Sequence, residues 1–138
     1  MSQHIEVPGE WASIATLMAF ADSVEAAQPL SPDQCYLLRL VIEEIATNIV
    51  KYGYADTHRD TIQLTCSCEG ETLRISIRDR GQPFDLRDHP DPDLSSDVIE
   101  ERPIGGLGLF FVRELADHVD YQHDPASRWN ELTVIKGP

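Results

Sequence analysis

The sequence predicts an α+β protein, a two-layer sandwich with helices on one face of a mostly antiparallel mixed sheet. Two observations carry this. Apolar residues recur at helical spacing in three segments and at a spacing of two in the segments between and after them. The elements also follow the order strand, helix, helix, strand, strand, long polar loop, helix, strand, strand. Such an order suits helices gathered on one side of a sheet.

A short strand is expected at His4 to Val7. From Trp11 to Ala27, the residues Trp11, Ile14, Ala15, Leu17, Met18, Ala21 and Val24 recur with the period of an amphipathic helix. Ser31-Pro32-Asp33-Gln34 then offers an N-cap serine, a proline at the first helical position and a glutamine at the third, a capping-box signature. The helix it starts should run to about Tyr52 and end at Gly53. At about 100° per residue, Leu38, Val41, Ile42, Ile45, Ile49 and Tyr52 form its core-facing arc. From Thr61 the period becomes two, with Ile62, Leu64, Cys66 and Cys68 on one face. Glu69-Gly70-Glu71 turns the chain into a strand whose inward set is Leu73, Ile75 and Ile77, and the same parity carries Asp79 inward.

Residues Gly81 to Ile104 are polar and proline-rich and have no period, as expected of a functional lid or an irregular loop. Phe111, Val112, Leu115 and Ala116 mark a last helix, and Val119 to His123 and Trp129 to Lys136 two last strands, the second with Leu132 and Val134 inward.

Composition narrows the function classes. A chain of 138 residues is expected to form a single domain over 1–138, with a core that needs neither disulfide nor metal. No apolar run approaches the roughly 20 residues that span a bilayer, and no basic segment precedes an apolar one at the N-terminus, so a cytoplasmic protein is expected. Acidic residues exceed basic ones by 24 to 11, a net charge of −13 that disfavours nucleic acid and anionic membranes. The same field suits a basic protein partner, although acidity of this kind more often serves solubility. Cys35, Cys66 and Cys68 are odd in number and lack zinc-type spacing, and read as core residues. The scattered aspartates Asp88, Asp91, Asp93 and Asp97 lack the order and central glycine of a calcium loop.

Three stretches carry candidate chemistry. On the central helix Glu44, Asn48 and Lys51 stand at i, i+4 and i+7, a row beside the apolar arc. Alone, that row reads as a solvated flank. Asp79 is an inward carboxylate, costly to bury unless it has a partner, and equally suited to capping a nearby loop. Gly105-Gly106-Leu107-Gly108-Leu109 opens a helix, where backbone N–H groups and the helix dipole favour an anion. It is neither a Walker A loop nor a dinucleotide fingerprint, and alone it equally fits a loop hinge.

Together, the Glu-x-x-x-Asn helix, the segment Asp79-Arg80-Gly81-Gln82-Pro83-Phe84-Asp85 and the glycine-rich helix start resemble the Bergerat-fold (GHKL) ATP-binding superfamily. Within it the chain is similar to the small anti-sigma-factor serine/threonine kinases, with three boxes in order across nearly its whole length. The resemblance implies ATP and Mg²⁺ as cofactors. It implies that Asn48 holds the metal against the phosphates, that Glu44 is the catalytic base, and that Asp79 accepts from the adenine amino group. Gly81 would let the backbone pass the base, Gly105, Gly106 and Gly108 would wrap the phosphates, and Lys51 would face them. The implied partners are a sigma factor or equivalent regulator and an antagonist protein phosphorylated on Ser or Thr, with the kinase a homodimer.

The sequence also departs from the family. Tyr52 stands where histidine is common, and the last strand, Trp129-Asn130-Glu131-Leu132, lacks the usual glycine and threonine, so Asn130 receives no nucleotide role here. An ATP-gated binding module without catalysis is the alternative. The detached ATPase domain of a histidine kinase ranks lower, because none of His4, His58, His89, His118 and His123 sits in an acceptor helix.

Overall fold

The computed structural model describes residues 2–54, 59–88 and 106–138. Five strands form one sheet: β1 (Ser2–Pro8), β2 (Thr61–Glu69), β3 (Thr72–Asp79), β4 (His118–His123) and β5 (Asn130–Lys136), in the order β1-β2-β3-β5-β4. The mostly antiparallel sheet is as expected, and each of these pairings is antiparallel. Leu64 lies opposite Ile77, and Ile77 opposite Leu132, so one face presents a continuous apolar row. The other face carries Thr65, Ser76, Arg78 and Glu131. Asp79 shares the apolar parity and pairs with Asn130, which puts a carboxylate and an amide side by side where the core ends.

Helix α1 (Ala12–Ala27) buries Ser13, Leu17, Ala21 and Val24. Trp11 and Ala15, expected on that face, are exposed. Both lie two positions, about 200° of helical rotation, from Ser13, so the Leu17–Ala21–Val24 stripe turns them outward.

Helix α2 (Pro32–Val41) begins with the expected capping box. Ser31 Oγ accepts from Gln34 N–H at 3.1 Å, and Gln34 Oε1 accepts from Ser31 N–H at 2.9 Å. The Gln34 amide also donates to the carbonyls of Glu71, at 2.7 Å, and Lys136, at 2.9 Å. One buried side chain thus ties the helix start to the β2–β3 turn and to the end of β5.

Beyond Val41 the helix continues to Gly53 with wide turns at Ile42–Ala46 and Ile49–Gly53, where bonding runs from residue i to i+5. These turns hold more residues each, so the angular register expected of a uniform α-helix drifts. Tyr52 consequently leaves the core arc and is 53% exposed, while Val50 is buried. Leu37, Leu38, Val41, Ile42 and Ile45 remain inside, packed with Leu17, Ile75, Leu109 and Val112. Each such side chain contributes about 1.5–3 kcal/mol on burial.

Cys66 lies in this core, where burial pushes its thiol up to about 12. Cys35 and Cys68 are half-buried, and all three thiols are free. Past β3 the chain runs irregularly from Arg80 to a single tight turn at Leu86–Asp88 that anchors Leu86 in the core. Helix α3 (Gly106–Leu115) resumes the described chain. Most of the expected lid, Gly105, His58 and His89 lie outside the described residues. No described helix is long and apolar enough to cross a membrane.

Candidate active site

A cavity of about 560 Å³ lies between the wide-turned half of the central helix and the strand ends at Asp79 and Asn130. Glu44, Asn48 and Lys51 line one side, Asp79 and Asn130 another, and Ile45, Ile77 and Leu132 supply apolar wall between them. The fold therefore brings together the helix row and the inward aspartate, which the sequence separates by 28 positions, from Lys51 to Asp79.

The floor is built around Asp79, only 7% exposed. Its Oδ2 accepts from Gly81 N–H at 2.8 Å and from Asn130 Nδ2 at 3.4 Å. Burial raises its pKa above the ordinary carboxylate range, while the Gly81 and Asn130 donors oppose that rise. A Cβ on Gly81 would stand 2.6 Å from the Gly53 carbonyl oxygen and 3.0 Å from Asp79 Oδ2. Gln82 N–H donates to that same Gly53 carbonyl at 2.7 Å, so the end of the central helix and the turn after β3 are in direct contact. Only glycine fits between them.

Asn130 is itself 3% exposed and fully engaged. Its Nδ2 also donates to the Gly81 carbonyl at 3.0 Å, and its Oδ1 meets the Tyr121 hydroxyl at 2.9 Å and His123 Nδ1 at 2.6 Å. Because Nδ2 faces two acceptors, Oδ1 must be the acceptor on the other side, and His123 then carries its proton on Nδ1. The Tyr121 hydroxyl also accepts from Phe84 N–H at 3.1 Å, tying the post-β3 loop to β4.

At the other end Glu44 is half-buried, and burial first, then the charge of Glu43, raises its pKa. Its carboxylate has no hydrogen-bond partner among the described residues and packs against Gly108, where any Cβ would collide with it. Glycine at 108 thus brings α3 against the central helix at Glu44. Asn48 is half-buried, also without a hydrogen-bond partner among the described residues, and Lys51 is exposed with Nζ 5.1 Å from the Tyr52 ring centre. Gly106 opens α3. Among the described residues no group of three His, Cys, Asp or Glu side chains could hold a metal. One neutral amide oxygen at Asn48 still suits Mg²⁺, which takes one or two protein ligands and completes its shell with phosphates and water.

Sequence reasoning missed Asn130 and Tyr121. The signal was present, since Asn130 has the same parity as Leu132 and Val134 and so had to be a buried amide.

Comparison with known proteins gives a consistent result. The family described as histidine kinase-like ATPase domain matches residues 7–136. Among curated proteins, the serine-protein kinase RsbW of Bacillus velezensis is 24% identical over 122 residues, covering 86% of this chain and 76% of that protein. The protein of the same name from Bacillus cereus strain Q1 is 26% identical over 123 residues, 87% of this chain and 76% of its own length. That of Oceanobacillus iheyensis is 31% identical over 85 residues, 59% of this chain and 54% of its own.

Proposed function

Since the chain belongs to the histidine kinase-like ATPase domain family, we propose that it is an ATP-dependent serine/threonine protein kinase of the anti-sigma type, which binds a regulatory protein and phosphorylates a small antagonist. The single observation that supports this reading is the cavity that joins a buried carboxylate, Asp79, to a half-buried carboxylate, Glu44, with no hydrogen-bond partner among the described residues, across an apolar wall.

In this mechanism the base slides over the apolar wall with its amino group donating to Asp79. The phosphates extend toward Asn48 and Lys51, where the ammonium offsets their charge in a chain that is otherwise acidic. The Asn48 amide oxygen would hold Mg²⁺, which would supply positive charge to offset that of the phosphates. Glu44 accepts the proton of the attacking serine or threonine hydroxyl, and the raised pKa that burial gives its carboxyl makes it a better acceptor once ionised. Gly106 and Gly108 place backbone donors of the α3 start near the phosphates, as at other anion-binding helix ends. Reaction then consists mostly of positioning and charge stabilisation.

The test is calorimetric titration with ATP, with and without Mg²⁺, on the wild type and on Asp79→Asn, followed by phosphoryl transfer to a serine-bearing antagonist. Mg-dependent binding lost in Asp79→Asn, with transfer that Glu44→Ala lowers far more than binding, is expected. Wild-type transfer rates in Glu44→Ala would remove the assigned base, and absence of ATP binding to the wild type would remove the kinase reading.

A further inference from the structure

The buried amide of Asn130 makes four polar contacts and touches none of the groups proposed to handle phosphate. Its two N–H bonds go to Asp79 Oδ2 and the Gly81 carbonyl, and its oxygen is held by Tyr121 and His123. An asparagine amide has two donors and two acceptor sites, so none remains for a ligand. Asn130 therefore has no hydrogen bond left to give whatever fills the cavity, and its polar influence there passes through the groups it holds, Asp79 first among them.

We propose that Asn130, clamped by Tyr121 and His123, is a positioning residue that locks Asp79 with a single oxygen toward the cavity and so sets selection of a 6-aminopurine over a 6-oxopurine. The inference rests on the reading of Asp79 as the base acceptor. Gly81 N–H and Asn130 Nδ2 together occupy Oδ2, whereas Oδ1 has no hydrogen-bond partner among the described residues. One fixed acceptor matches the single amino group on the adenine edge. Guanine instead presents two adjacent donors, its ring N–H and its exocyclic amine, which pair with a carboxylate only when both oxygens are free to turn toward them. Its 6-oxo oxygen would meet the locked Oδ1 as a second acceptor. A carboxylate released from Asn130 could rotate and take the guanine edge through both oxygens.

The experiment is calorimetric titration of wild type, Asn130→Ala, Tyr121→Phe and Asp79→Asn with Mg-ATP and with Mg-GTP. The wild type should prefer ATP, and Asp79→Asn should lose it. Asn130→Ala should narrow the ATP-to-GTP affinity ratio by about tenfold, the worth of one charge-assisted hydrogen bond. Tyr121→Phe, which keeps the ring and removes only the hydroxyl, should narrow the ratio by less, in the same direction. General loosening of the site would weaken both nucleotides alike and leave the ratio alone. An unchanged ratio in Tyr121→Phe and in folded Asn130→Ala, with ATP binding still dependent on Asp79, overturns this inference while the kinase reading stands. Failure of the wild type to bind ATP overturns both.

Discussion

Replacing Gly108 by alanine should separate catalysis from stability. The new methyl would be built on the first turns of α3 and directed at the Glu44 carboxylate, all three of whose terminal atoms lie well inside the ordinary contact distance of 3.4 Å or more. The clash is with the far end of a flexible side chain, so the backbone can stay where it is and Glu44 must retreat by about 1 Å or more. If Glu44 is the base proposed above, displacement of that size costs about 10²-fold in rate, or about 2.7 kcal/mol of barrier. Stability should move the other way or not at all, because alanine in a helix is favoured over glycine by up to about 1 kcal/mol. Phosphoryl transfer to the antagonist, ATP affinity and the thermal midpoint would be measured side by side. A fall of about two orders of magnitude in transfer with an unchanged or raised midpoint is expected. Full transfer activity would show that Glu44 need not sit where it does, and a large loss of stability would show that the helices, not the side chain, absorb the methyl.

Removing Mg²⁺ with a chelator should weaken ATP binding, and Asn48→Ala should reduce the difference between titrations with and without the metal. Asp79 has a raised pKa, so its carboxylate is protonated as pH falls through that value and ATP affinity should drop in acid. Its effect on stability has the opposite sign. The folded state holds this proton more tightly than the unfolded state, so its stabilising effect is full below the unfolded pKa and is lost as pH rises through the folded one. The wild type minus Asp79→Asn difference in thermal melts between about pH 4 and pH 7 isolates this contribution from the carboxyls that titrate lower. Gln34→Ala removes half of the capping box and strips the Glu71 and Lys136 carbonyls of their donor, which should cost about 2–4 kcal/mol in denaturant unfolding while leaving ATP affinity unchanged.

What could be read from the chain depended on whether position along an element decides the outcome. The β3 parity rule put Asp79 inward and the structure agrees, because a pleated strand gives a side chain only two directions. The Ser31–Gln34 cap was legible because its atoms lie within one turn. Tyr52 was misplaced because nothing in Ile42–Gly53 announces wide turns, which contain neither proline nor an internal glycine before their end. Asn130 is hidden for a different reason: it mismatches a familiar motif, whereas its parity alone requires a buried amide and hence partners. The contact between Gly108 and Glu44 joins segments 64 positions apart and could not be read from either one.

Gln34 fastens one end of the central helix to the sheet by one turn carbonyl and one strand carbonyl, and the residues proposed for chemistry begin ten positions further on, at Glu44. The helix is in effect a beam pinned at both ends, by Gln34 at its root and by the Gly53 carbonyl, which accepts from Gln82 N–H, at its tip. Substitutions on the cavity face of the tip can reshape recognition without undermining the root, and substitutions at the root change the lifetime of the fold without touching recognition. A lineage built on this beam could alter what its cavity accepts through one set of positions while heat tolerance drifted through the other, the two histories leaving few marks on each other.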